Sequence, residues 1–100
     1  MEISVIGDYE SQNYQDLLQT VAAYKPEEKV LDLSRHKKGD WGKRQLKRAN
    51  DITESHLVVL AWDWSDHFDC RHDVRWAQDL KKEMMVECAG RYLPFPIAKY

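Results

Sequence analysis

Cysteine is scarce in this chain of 100 residues: Cys70 and Cys88 are the only two. Two thiols make no disulfide framework, which excludes the small secreted scaffolds held by several bridges, and both are expected to stay reduced in a cytoplasm. Long apolar runs are missing as well. No stretch approaches the ~18 apolar residues of a membrane span, and Met1-Glu2-Ile3-Ser4 does not read as a secretory signal, so no membrane partner is expected. Glycine and proline number four and three, too few for a linker or a low-complexity tract. One domain over 1–100 is the reading. No single charge sign dominates, since the net charge is −2, but the distribution is uneven. Between Arg35 and Arg48 stand seven cations (Arg35, Lys37, Lys38, Lys43, Arg44, Lys47 and Arg48) against Asp40 alone, a local +6. That stretch is a candidate anion site. The usual role of such a run is a solvated face, and a small molecule rather than nucleic acid is the expected partner.

What is abundant is hydrophobic and aromatic. Four Trp, five Tyr and two Phe are many for a domain that buries only about two thirds of its unfolded surface, and a homodimer is expected to cover some of them. Leu57-Val58-Val59-Leu60-Ala61 is an unbroken apolar run, the mark of a strand buried on both faces of a parallel sheet. Ile3-Ser4-Val5-Ile6, Lys29-Val30-Leu31-Asp32-Leu33 and Met85-Val86-Glu87-Cys88 read as further strands, and the third strand spans His56 to Trp62.

Helical spacing fills the gaps. Ser11 caps a helix to about Tyr24 with Tyr14, Leu17, Leu18, Val21 and Ala22 inward. Asp40 caps a second helix to about Ser55, with Trp41, Leu46, Ala49 and Ile52 inward. Asp66 or Asp69 caps a third reaching about Glu83, with Val74, Ala77, Leu80 and Met84 inward. Pro94 and Pro96 keep the tail from Leu93 to Tyr100 irregular. The order β-α-β-α-β-α-β demands parallel strands and right-handed crossovers. It predicts a three-layer α/β fold, flavodoxin- or Rossmann-like, with a four-stranded parallel sheet in order 2-1-3-4 and helices on both faces.

Ligands of such sheets bind at the carboxyl ends of the strands, which directs attention to three segments. Gly7-Asp8-Tyr9 follows strand one, and glycine there lets a backbone approach a ligand closely. Trp62, Trp64 and Ser65 follow strand three. The two tryptophans share parity and would face one way if the strand continued, as a wall for a base, while the serine hydroxyl would hold a phosphate or a sugar hydroxyl. Asp73 precedes Ala77 by four and Leu80 by seven, on the inward stripe of helix three near the strand ends. Burial there raises a carboxyl pKa and suits it to nucleophilic or acid/base work. The plain alternatives are a turn, core tryptophans, and an acid that favours the helix dipole. His67, Asp69, Cys70, His72 and Asp73 crowd together, but they do not share one helical face, so no metal and no cofactor is expected.

Strand one with Gly7, strand three with Trp64-Ser65, and Asp73 followed by Ala77 resemble the nucleoside 2-deoxyribosyltransferase-like superfamily, over Met1 to about Cys88 at the level of element order. The resemblance implies a cytoplasmic N-glycosidase or deoxyribosyltransferase acting on a small nucleoside or nucleotide. It places Asp73 at the family's nucleophilic Glu, Ser65 at the 5′ end of the sugar and Asp8 or Tyr9 near the sugar hydroxyls, with Tyr100 contributed by a partner chain. Asp73 is one methylene shorter than that Glu, and the glycine-rich stretch before it reads Asp66-His67-Phe68-Asp69-Cys70-Arg71-His72. The alternative is a non-catalytic nucleotide-binding or protein-interaction module of the same fold.

Overall fold

The computed structural model describes residues 1–96; the position assigned above to Tyr100 lies outside them. The elements are β1 (Glu2–Ile6), α1 (Gln12–Tyr24), β2 (Lys29–Asp32), α2 (Trp41–Glu54), β3 (Leu57–Leu60), α3 (Phe68–Asp79), β4 (Glu83–Cys88) and β5 (Arg91–Pro94). They form an α/β domain with one mixed sheet in order β2-β1-β3-β4-β5. The first four strands are parallel, and Ile3 lies between Val30 and Leu57 in the register.

The sheet therefore has five strands rather than four, and the fifth runs antiparallel to β4. A two-residue turn makes the difference. Ala89 and Gly90 both take positive φ, 52° and 81°, the backbone that closes a tight hairpin, and the Glu87 carboxylate accepts the Gly90 N–H at 2.8 Å. Gly90 thus turns the chain back instead of ending the sheet. Pro94 is tolerated because β5 is an edge strand.

Strand alternation divides the core. Ile3, Val5, Leu57 and Val59 face α1 and meet Tyr14, Leu17 and Val21. Ile6, Val58 and Leu60 face the other way and meet Ile52 of α2 with Cys70, Val74 and Ala77 of α3. One helix therefore covers one face and two cover the other. Ser11 and Asp40 cap as the sequence predicts, accepting the N–H of Tyr14 at 3.1 Å and of Lys43 at 2.9 Å. Among the described residues, no helix is long and apolar enough to cross a membrane.

Two helices depart from expectation. The inward face of α2 is Arg48, Asp51 and Ile52, whereas Trp41 is 38% and Leu46 63% exposed. Polar pairing outweighs hydrophobicity here, because both charged residues find buried or loop partners. In α3, neither Asp66 nor Asp69 is the cap. His67 holds that position, with no side-chain bond to the helix amides. The helix ends at Asp79, Lys81 turns with φ 55°, Leu80 is left 39% exposed, and Met84 is buried from β4 instead.

Candidate functional site

The loops after β1 and β3 diverge, since β1 leads to α1 on one face and β3 to α3 on the other. A crevice at that divergence is the general binding place of such sheets. Here it is a cleft of about 560 Å³ bounded by the β1 loop, the β2 loop, α2 and the first turn of α3.

At its floor lies a polar triad, in which the half-buried Tyr9 meets the buried Arg48 and Asp73. The Tyr9 hydroxyl donates to Asp73 Oδ2 at 2.5 Å, and Arg48 Nε donates to the same oxygen at 2.8 Å. The Arg48 guanidinium also lies 5.3 Å from the centre of the Tyr9 ring, which stands edge-on to Tyr14. Asp73 and Arg48 are each 2% exposed. Burial pushes the Asp73 carboxyl above its ordinary value, against the pull of Arg48 and Tyr9. Burial alone would lower the Arg48 guanidinium, but Asp73, Tyr9 and Asp69 carry it above its ordinary value. Burial and the Asp73 charge hold the Tyr9 phenol protonated well past its usual range.

The second arm of Arg48 makes an ion contact but no hydrogen bond. Its Nη2 is buried with no hydrogen-bond partner and lies 3.9 Å from Asp69 Oδ2, while Asp69 Oδ1 accepts the Trp41 indole N–H at 2.8 Å. At the cleft mouth, His67 Nε2 is 3.3 Å from Asp8 Oδ2, and Asp8 Oδ1 accepts the Glu10 N–H at 3.2 Å. On the far wall, Asp51 binds both Arg35, at 2.9 and 3.0 Å, and His36, at 2.7 Å, fastening the β2 loop to α2. Lys37 and Arg44 complete the basic side of the lining. Cys70 donates to the Gly7 carbonyl at 2.8 Å. Burial, then the Asp73, Asp69 and Asp8 charges, pushes its thiol up to about 12, so it is no nucleophile near neutral pH.

The structure brings together some of the residues singled out from sequence and separates others. Asp8 and Tyr9 line the cleft. Asp73 lies behind Tyr9 and Arg48 and borders a second groove, between α2 and α3. Gly7 serves a different purpose from the one expected. A Cβ there would stand 2.9 Å from the Ala61 Cβ and 3.4 Å from Tyr14, so glycine permits the close packing of β1 on β3 rather than the approach of a ligand. Because β3 stops at Leu60, strand parity does not extend to Trp62 and Trp64. Trp62, 60% exposed, faces a small groove beside α1, whereas Trp64 packs edge-on to Phe95 against the opposite core cluster. Ser65 is exposed in the 3-10 turn Trp64–Asp66, away from the cleft lining. The aromatic rings at the cleft are Tyr9 and Phe68.

Sequence reading placed Arg48 only within the basic run from Arg35 to Arg48, as part of a candidate anion site, and missed that it is the buried partner of Asp73. It stands four before Ile52 on the inward stripe of α2, as Asp73 stands four before Ala77 on that of α3. Two opposite charges on two facing apolar stripes are a readable signal of a buried pair. Among the described residues, no three His, Cys, Asp or Glu side chains converge as metal ligands. No family model matches this chain, and neither the curated proteins nor the solved structures contain a match.

Proposed function

We propose that this chain binds a small nucleoside or nucleotide in the 560 Å³ cleft, gripping its anionic end, with Asp73 as a fixed anchor rather than an attacking group. The observation that carries this reading is the Arg48 guanidinium, part of the cleft lining and held in place through Nε by Asp73, with Nη2 buried, 3.9 Å from Asp69 and without a hydrogen-bond partner, so that a small shift of Asp69 would free it for an anion. Arg44 and Lys37 add positive charge beside it, and the uncapped first turn of α3 adds its amides. Tyr9 and Phe68 supply ring surface for a base. The volume falls within the range of ~300–1,000 Å³ typical of small-molecule sites. A flavodoxin- or Rossmann-like description of the four parallel strands and a cytoplasmic location go with this reading.

Thermal shift with nucleosides, nucleoside monophosphates and inorganic phosphate tests it. A ligand at 100 times its dissociation constant stabilises by ~2.7 kcal/mol. Monophosphates should raise the Tm, and Arg44→Glu should abolish the rise without unfolding the domain. No response to any nucleotide at millimolar concentration defeats the reading.

A second reading is the N-glycosidase or deoxyribosyltransferase of the nucleoside 2-deoxyribosyltransferase-like superfamily, with Asp73 as nucleophile. The observation that favours it is a single buried carboxylate of raised pKa, aligned by a tyrosine, at the carboxyl end of the sheet. It requires an Asp73 oxygen to leave Arg48 and reach an anomeric carbon. Release of free base by the wild type, abolished in Asp73→Asn, would establish it over the binding reading.

A further inference from the structure

The large hydrophobic side chains left in solvent are not scattered. Of the eight among the described residues, Trp41, Leu46, Phe68, Trp76 and Leu80 all belong to α2, to α3 or to the residue that ends α3; Phe68 lines the cleft described above, and Leu46 and Trp76 line the groove between the helices. An apolar groove of about 490 Å³ runs between the two helices, with Leu46 and Ala49 on one bank and Trp76 on the other. Trp76 is rigidly placed. Its indole N–H donates to the Ala49 carbonyl at 3.2 Å and to the Thr53 hydroxyl at 3.1 Å, which leaves ring surface facing outward, 43% exposed. Fixed, half-exposed tryptophans of this kind are typical interface anchors, and contiguous apolar patches mark association surfaces.

We infer that this face is the interface of a homodimer, formed by two copies of α3 crossing antiparallel about a two-fold axis with α2 alongside. The charges decide the occupant. Arg75 and Asp79 border the groove, and neither takes part in an ion pair among the described residues. They are four apart and so share one helical face. A two-fold axis passing near Ala77 sets Arg75 beside the partner's Asp79, and by symmetry does so twice. An isologous interface must be self-complementary in this way, whereas a partner of one charge sign would leave one of the two groups opposed. The inference does not depend on the ligand proposal, because it is tested without ligand.

Sedimentation and light scattering from micromolar to near-millimolar concentration should give a particle of twice the 11.9 kDa chain mass. Arg75→Asp and Asp79→Arg, each on an exposed position, should weaken the dimer about tenfold or more, and the two together should restore it, while urea unfolding of each variant at a concentration where it is a single chain shows stability changes of no more than the ~0.5 kcal/mol that an i,i+4 pair within α3 supplies. Leu46→Glu should yield a folded single chain by circular dichroism. A wild type that stays at one-chain mass throughout, or a dimer indifferent to Arg75→Asp and Leu46→Glu, overturns the inference.

Discussion

Removing Arg48 tests whether Asp73 depends on it as the geometry requires. Arg48→Ala leaves a carboxylate that is 2% exposed with Tyr9 as its remaining donor. Breaking a buried pair from one side costs about 3–5 kcal/mol. An independent bound comes from the escape open to Asp73, which is to take up a proton. From an ordinary carboxylate pKa of about 3.9, neutralisation at pH 7 costs roughly 4 kcal/mol, so the two routes agree. The escape also fixes the sign of the pH dependence. Without the guanidinium, burial acts unopposed by the strongest charge that lowers the Asp73 pKa, so the folded carboxyl rises further above its unfolded value. The native state then holds more protons than the unfolded one, and stability falls as pH climbs from the unfolded value towards neutrality. Urea unfolding followed by circular dichroism at pH 4.5 and pH 7 measures both quantities. The Arg48→Ala loss should be several kcal/mol at pH 7 and distinctly smaller at pH 4.5, and Asp73→Asn in the same background should recover part of it. A loss below about 1 kcal/mol at pH 7, or one of equal size at both pH values, would refute the claim that Arg48 sustains a buried carboxylate.

The remaining predictions concern the sheet ends. A thiol reagent at pH 8 should label one cysteine per native chain, the exposed Cys88, and both after denaturation, because Cys70 is buried and its thiol is pushed up to about 12 by burial; two rapid native labels would contradict the packing. Stability should decline above about pH 9. The unfolded Cys70 thiol loses its proton there while the folded one keeps it, so the loss is ~1.4 kcal/mol per pH unit, and Tyr9 adds to it from about pH 10. Cys70→Ala should flatten that slope between pH 9 and 10.5, and an unchanged slope would show the thiol to be uninvolved. Gly7→Ala should cost about 1–3 kcal/mol through overpacking against Ala61 and Tyr14, and a neutral result in chemical unfolding would mean that the strand ends yield easily.

The parts of the fold legible in the sequence were those specified by local chemistry. Ser11 and Asp40 announce helix starts because an oxygen acceptor at that backbone position captures an otherwise unpaired amide. The Leu57–Ala61 run announces a central strand because both of its faces are covered. What escaped sequence reading depends on contacts between distant segments. The apolar stripe assigned to α2 is rotated because Arg48 and Asp51 pair with Asp73 and with Arg35 and His36, and no propensity within α2 reports its partners. The fifth strand escaped because Gly90 and Pro94 carry breaker signals that a hairpin at a sheet edge accommodates.

The candidate site divides along the same line. Asp8, Tyr9 and Asp73 could be found by asking which polar residues fall at strand ends or on an inward helical stripe, and the structure gathers them around one cleft and its floor. Trp62, Trp64 and Ser65 could not be placed that way, because their positions required β3 to continue past Leu60, and the chain instead turns at Trp64–Asp66. The consequence is chemical. A site walled by two indoles would read a base chiefly by stacking, whereas the cleft that exists presents one phenol, one phenyl ring and a basic side of Lys37, Arg44 and Arg48 opposed by Asp8, Glu10 and Asp69, and on the proposed nucleotide reading the basic side is what a phosphate would meet. Phosphate content, more than base identity, should therefore set the order of affinities, and the comparison of a nucleoside with its own monophosphate carries more information than any comparison between bases.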